Sequence, residues 1–284
     1  MYQNRAKLAP PCETSPCPGL LTTIQSPDTE EHLRFRGRQY DGTGVTIAVV
    51  DSGIQTEDPR LAQATVDGWT LELSATEHAR VIPGFTDVHG HGTEIASLVH
   101  QEAPGARLLA IRVADSAMQT SPEVIAAAVE SAYREGARVV NVSLGASDTG
   151  RARVLLESCA RARLQGVVIV AAAHAMGEAA FPADLPTSLG ILSHPECRQE
   201  LFFLSPNRFS AEEFGHLSGA WVAPGYATDA SGVPQEYLGA GAATARVSGR
   251  LACLAQAMPN AEVSDWVEQL RNIARIPEPE FGYS

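Results

Sequence analysis

The chain predicts a single α/β domain on a mostly parallel central sheet of about seven strands, with helices on both faces. Three observations carry that expectation. Continuous runs of β-branched and other apolar residues recur along the sequence, as strands buried on both faces require. Amphipathic stretches of helical length separate those runs. The helix starts and stops hold residues that satisfy otherwise unpaired backbone groups. A βαβ rhythm of this kind builds a parallel sheet covered on both sides. With 284 residues and 44% hydrophobic content, the chain is long enough to bury one large core.

Residues 1–30 are rich in Pro, Ser and Thr without a period and read as a flexible N-terminal arm. The domain is expected over 31–275, followed by a short tail at 276–284. Val45-Thr46-Ile47-Ala48-Val49-Val50 reads as the first buried strand, and Ala106 to Val113 as the second. Ser121-Pro122-Glu123 then starts a helix: a hydroxyl cap, Pro at the first helical position, and an acid near the positive dipole end. Glu135-Gly136 ends it. Ala137 to Val142 is the third strand, residues 151–165 an Arg-bearing amphipathic helix, and Gly166 to Ala173 the fourth strand. A Gly/Ala-rich helix beginning near Gly241 is expected to run through the core, since Ala242, Ala243, Ala245, Val247, Ser248, Gly249 and Ala252 leave it little bulk. Residues 261–274, capped by Asn260, should form a last amphipathic helix with Val263, Trp266, Val267 and Leu270 inward.

Charge and composition exclude several classes of function. The net charge of −12 argues against a nucleic-acid or anionic-membrane partner, whose footprint is a basic face. Lys7 is the only lysine among 21 basic residues, a skew expected of a GC-rich genome. No stretch approaches the ~18 apolar residues of a membrane span, and Met1 to Pro11 lacks the apolar core of a signal peptide. Five cysteines, an odd count with Cys159 and Cys253 in helix-like patterns, read as reduced thiols in a cytoplasmic protein. Cys12 and Cys17 have no second ligand pair at zinc spacing nearby and read as part of the arm. No metal or cofactor is expected.

Three blocks carry chemistry. Val49-Val50-Asp51-Ser52-Gly53-Ile54 puts an acid at the carboxyl end of a strand, where ligand sites in such sheets lie. His89-Gly90-His91-Gly92-Thr93 is the second, and Gly239-Ala240-Gly241-Ala242-Ala243-Thr244-Ala245-Arg246-Val247-Ser248-Gly249 the third. Alone, the first reads equally as a turn or cap, and the second as a helix start with Thr93 in its first turn. Their order and spacing resemble the Asp, His and Ser motifs of the subtilisin-like serine proteases, the subtilases, across about residues 40–275. Asn141-Val142-Ser143-Leu144-Gly145 is similar to the extended segment with which that family pairs substrate backbone. The resemblance implies a subtilisin-like three-layer α/β fold, an Asp51–His91 pair, and Ser143, Leu144 and Gly145 as a peptide-binding strand.

The chain departs from the family where the chemistry is done. In the subtilase mechanism Asp orients His, His takes the proton from Ser, and Ser attacks the carbonyl. The family's pattern, roughly Gly-Thr-Ser-x-Ala-Thr-Pro-x-Val-Ser-Gly, places Gly241 where the Ser belongs. Loss of that hydroxyl lowers turnover by roughly a millionfold. The family's oxyanion Asn aligns with Ala175 in Ala172-Ala173-His174-Ala175-Met176-Gly177; losing that donor costs a further hundredfold or more. His174 falls beside that position and, with Ala173 and Ala175, is expected on the rim of the cleft as a substrate-binding residue. Ala240, Ala245 and Arg246 also differ from the pattern. Ser248, the nearest hydroxyl in the motif, lies about two helical turns on, roughly 10 Å along the axis, and reads as a packing residue. A slip of one residue would bring only Ala240 or Ala242 into the nucleophile's place.

The retained Asp51–His91 pair is open to two readings: a general base for some other chemistry, or a hydrogen bond that keeps a relic site folded. His89, His91, Asp51 and His174 show no metal-ligand spacing. The expectation is a pseudoprotease whose cleft binds a peptide without cutting it, as a recognition or scaffold subunit beside a partner enzyme. Subtilase-like proteins occur in clusters that make modified peptides, so a precursor peptide is the ligand implied by analogy. The alternatives are a repurposed enzyme using Asp51 and His91 in non-hydrolytic peptide chemistry, and an active endopeptidase.

Overall fold

The computed structural model describes residues 33–35, 38–74, 78–146, 150, 152–174, 179–193, 197, 202–204, 220–228 and 234–273. The arm at 1–30 with Cys12 and Cys17, the tail at 276–284, and Ala175 lie outside the described residues. Strands β1 (Leu33–Phe35) and β2 (Arg38–Tyr40) form a small antiparallel pair. Among the described residues the large sheet has nine strands, in the order β10-β11-β9-β8-β7-β3-β6-β4-β5. These are β3 (Thr46–Asp51), β4 (Thr65–Leu73), β5 (Ala79–Pro83), β6 (Arg107–Arg112) and β7 (Val139–Val142). The others are β8 (Val168–Ala172), β9 (Leu189–Ser193), β10 (Phe202–Leu204) and β11 (Ala220–Ala223). The run from β11 through β4 is parallel throughout, and antiparallel strands β10 and β5 close the two rims. The expected parallel strands are therefore present, with two rim strands more.

Helices α1 (His91–Glu102), α2 (Pro122–Arg134), α3 (Ala152–Leu164), α4 (Ala240–Ala257) and α5 (Val263–Ile273) cover the sheet. Successive residues of a strand point to opposite faces, so each strand feeds two cores. Ile47, Val49, Leu108, Val139 and Val168 pack with α1, α4 and α5. Ala48, Val50, Leu109, Val140 and Ile169 pack with α2 and α3. This is the three-layer arrangement expected of continuous apolar runs.

Local signals account for the helix ends. Ser121 Oγ accepts the Val124 N–H at 3.3 Å, with Pro122 at the first helical position. Gly136, at φ 81°, takes the left-handed conformation that ends α2. Helix α4 starts at Ala240, and every residue from Gly241 to Gly249 is buried. One expected boundary moves. The last helix begins at Val263 rather than 261, because the Asp265 carboxylate accepts the Glu262 N–H at 2.9 Å while Asn260 stays in the preceding turn. Val263, Trp266, Val267 and Leu270 are buried on it, as their spacing requires. Strands β12 (Tyr226–Thr228) and β13 (Pro234–Tyr237) form a hairpin just before α4.

Candidate functional site

Asp51 ends β3 and is fully buried. Its Oδ1 accepts the Ser52 N–H at 2.7 Å. The Nδ1 of His91 lies 2.8 Å from Oδ1 and 3.0 Å from Oδ2. His91 is the first residue of α1, and 27% of its side chain is exposed. Burial by itself would lower the His91 pKa. The Asp51 hydrogen bond and the charges of Asp51, Asp87 and Glu94 outweigh that and hold it above the ordinary value. The pair thus favours a proton on His91.

Asp87 holds the start of α1 in place. Its Oδ1 accepts the His89 and Gly90 N–H groups at 3.0 and 2.8 Å, and the Ser52 hydroxyl at 2.8 Å. Its Oδ2 accepts the Thr93 N–H at 2.8 Å and the Thr93 hydroxyl at 2.5 Å. Burial opposes the charge, but those donors pull the Asp87 carboxyl down to about 2. Ser52 Oγ accepts the Gly92 N–H at 3.0 Å, which links the Asp51 turn to the helix. Gly92 must be glycine: a Cβ there would lie 2.1 Å from the Gly53 carbonyl oxygen. Asp87 is not among the residues singled out from sequence. Its signal was an acid ahead of a helix start with a Thr in the first turn.

Gly241 stands across from the pair. A Cβ built on it would lie 3.1 Å from His91 Nε2, 3.3 Å from His91 Cε1 and 3.3 Å from Ile95 Cδ1. A side chain at 241 would therefore meet the imidazole nitrogen that Asp51 leaves free. The hydroxyls further along α4 are committed elsewhere. Thr244 Oγ1 donates to the Ala240 carbonyl at 2.7 Å. Ser248 Oγ donates to Asn141 Oδ1 at 3.0 Å, and Asn141 Nδ2 donates to Ser143 Oγ at 2.7 Å. That chain of buried bonds corrects the reading of Ser248 as a packing residue only: it ties α4 to the end of β7.

Ser143 is buried, Leu144 half-buried and Gly145 exposed, so the segment rises from the core to the surface as it leaves β7. Just beyond, Ala146 and Phe181 exchange a pair of backbone hydrogen bonds, each 3.0 Å. Among the described residues, neither Leu144 nor Gly145 makes a backbone hydrogen bond. His174 is exposed just after β8, at the same carboxyl edge of the sheet as Asp51 and Ser143. Among the described residues no group of three or more His, Cys, Asp or Glu side chains could hold a metal ion. None of the described helices is long and apolar enough to cross a membrane.

Arg246, one of the departures noted above, lies in a buried ion cluster. Its guanidinium donates to Glu102 Oε1 at 2.8 Å and to the Tyr226 carbonyl at 3.0 Å, and Arg250 Nε lies 3.4 Å from Glu102 Oε2. Burial would raise the Glu102 pKa, yet the two arginines hold it below the usual carboxylate value. The cluster joins the end of α1, the middle of α4 and the β12–β13 hairpin.

A sequence profile of the subtilase family matches residues 42–275. The chain belongs to the subtilase family. It is 28% identical to thermitase of Thermoactinomyces vulgaris over 233 residues, 76% of each protein's length. It is 27% identical to subtilisin E of Bacillus subtilis (strain 168) over 254 residues, 81% of this chain and 61% of that one. Among solved structures, sphericase superposes with a TM-score of 0.60 at 23% identity, covering 81% of this chain and 83% of sphericase. The prenylagaramide maturation protease PagA superposes with a TM-score of 0.56 at 22% identity, covering 76% of each chain. The subtilisin-like fold follows from these likenesses and from the parallel sheet described above.

Proposed function

We propose that this protein is a subtilisin-like pseudoprotease: it holds a peptide in the family's cleft and does not cleave it. The observation that carries this reading is Gly241, whose Cβ position lies 3.1 Å from His91 Nε2. That is the place of a nucleophile's side chain in the Asp–His–nucleophile relay, and glycine offers no atom to attack with. Ala175, read from the sequence in place of the oxyanion Asn, removes a second contribution. Peptide binding is supported by Leu144 and Gly145, whose backbone groups are free among the described residues to pair with an incoming strand. PagA is named as a prenylagaramide maturation protease; by that analogy the ligand here is a precursor peptide in modified-peptide biosynthesis, and a partner enzyme does the chemistry. Cleft, partner enzyme and a cytoplasmic location belong to one proposal.

A second reading keeps the Asp51–His91 pair as a general base in non-hydrolytic peptide chemistry. The intact hydrogen bond and the raised His91 pKa favour it. Two experiments separate the possibilities. A fluorophosphonate probe labels only an activated serine, and none is expected to be labelled. Exchange of His91 for Ala leaves a scaffold's contribution to its pathway intact and abolishes that of an enzyme. Peptide binding itself is tested by calorimetric titration or pull-down, repeated with Leu144→Pro, which removes a backbone donor from the strand. Binding unaffected by that change in a folded variant would place the ligand elsewhere.

A further inference from the structure

We propose that the space where β4 and β6 end and α2 begins is a binding site for a small apolar carboxylic acid, independent of the peptide-binding reading above. A cavity of about 470 Å³ opens there, within the range that takes small ligands. It follows from the elements around it. The ladder between β4 and β6 ends at Thr70 and Arg112, while β4 continues to Leu73 in its pairing with β5. The chain leaving β6 folds into a turn, with the Asp115 N–H donating to the Gln119 carbonyl at 3.1 Å, before Ser121 caps α2. Buried Leu71, Val113 and Val124 and exposed Leu73 and Val88 give the cavity apolar walls.

The polar groups that line the cavity decide what kind of ligand fits. Thr70 Oγ1 donates to the Gly84 carbonyl at 2.6 Å, Gln119 Nε2 to the Ala117 carbonyl at 3.2 Å, and Ser121 Oγ serves as the α2 cap. Ser116 is exposed to water. Both acids have partners. Asp115 Oδ1 accepts the Ala117 and Gln119 N–H groups, each at 2.9 Å, and Glu72 pairs with Arg80 at 3.4 Å. Two donors are left. The Thr120 hydroxyl is buried and has no partner among the described residues. The Arg112 guanidinium makes one bond, to the Thr86 carbonyl at 3.1 Å, and has no carboxylate partner among the described residues. A buried hydroxyl left unpaired is costly, and a guanidinium with N–H groups to spare matches a carboxylate with two parallel bonds. Apolar walls with donors and no competing acceptor therefore suit an acid with a hydrocarbon body of roughly eight carbons. Three lining residues also bond the backbone beside the Asp51–His91 pair. The Val113 and Ala114 N–H groups donate to the Asp51 carbonyl at 2.8 and 3.4 Å, and the Val88 N–H to the Ser52 carbonyl at 3.2 Å.

The test is an NMR titration of the full chain with sodium octanoate, octanamide and N-acetyl-leucine, read at the amides of Val88, Val113, Ala114, Thr120 and Val124. Octanoate is expected to shift these signals saturably and to bind at least about tenfold more tightly than octanamide, through its charge-assisted bonds. This comparison needs no variant. Arg112→Met, which keeps an apolar stem without the charge, should remove the preference for the acid. Thr120→Val should weaken octanoate by about fivefold, the size of one lost hydrogen bond. Tighter binding of octanoate than of N-acetyl-leucine would mark a free fatty acid as the source of the ligand, and the reverse order an acylated amino acid. Equal binding of octanoate and octanamide, or a preference unchanged in Arg112→Met, would overturn the site. So would shifts that fail to saturate and spread to exposed apolar residues such as Leu164, the mark of detergent-like adsorption. Peptide recognition through residues 143–145 is judged separately by the Leu144→Pro titration, so the two claims can fail independently.

Discussion

At the scale of single residues, the site depends on contacts one atom wide. Gly92 has room for a hydrogen and nothing larger, since a Cβ would sit 2.1 Å from the Gly53 oxygen. Gly92→Ala should therefore destabilise the fold by about 4 kcal/mol or more, an effect of the size reserved for backbone clashes, measurable by denaturant unfolding. Asp87 makes a second prediction with a pH signature. Its carboxyl sits at about 2 in the folded protein against an ordinary 3.8. A depressed carboxylate contributes stability that is present above the ordinary value and is lost as pH falls through the folded one. Asp87→Asn should be less stable than the parent at neutral pH by about 1–2 kcal/mol, as for loss of a helix cap. The difference should shrink as pH falls from about 4 to about 2. A deficit that persists unchanged at low pH would show that shape, and not charge, matters at position 87.

At the scale of elements, the legible and illegible parts separate cleanly. Strands β3, β6, β7 and β8 could be read because burial on both faces demands uninterrupted apolar runs. Helix α2 could be read because Ser121, Pro122 and Gly136 each satisfy a local backbone need. The start of α5 was misplaced because Asp265 reaches back to Glu262, a side-chain bond that no periodicity encodes. Asp51 and His91 were legible from their motifs; Asp87 was not, since its role comes from bonds spread over Ser52, His89, Gly90 and Thr93. The role of Ser248 depends on Asn141, a partner 107 positions away. The Glu102–Arg246–Arg250 cluster was equally invisible, because Glu102 lies 144 positions from Arg246. It explains how α4 accommodates Arg where its neighbours are small. Breaking a buried ion pair leaves a charge without its partner, so Arg246→Ala should destabilise the protein by about 3–5 kcal/mol. A double-mutant cycle with Glu102→Gln should recover a coupling energy of at least about 1 kcal/mol. Additive effects would mean that Arg246 acts through packing alone.

For the molecule as a whole, the subtilase frame is present, and the proposal is that its nucleophile position is held by Gly241. Sheet order, helix layers and the Asp51–His91 bond are those of a fold that presents a site at the carboxyl edge of its strands. Under that proposal Gly241→Ser alone should not restore a full rate, because the oxyanion Asn, read from the sequence as replaced by Ala175, would still be missing and a shortfall of about a hundredfold or more would remain. The decisive measurement is the peptidase activity of the purified, unaltered chain on casein and chromogenic peptides, with His91→Ala in parallel. The account predicts no cleavage above background and no difference between the two proteins. Robust cleavage by the unaltered chain that disappears in His91→Ala would contradict it.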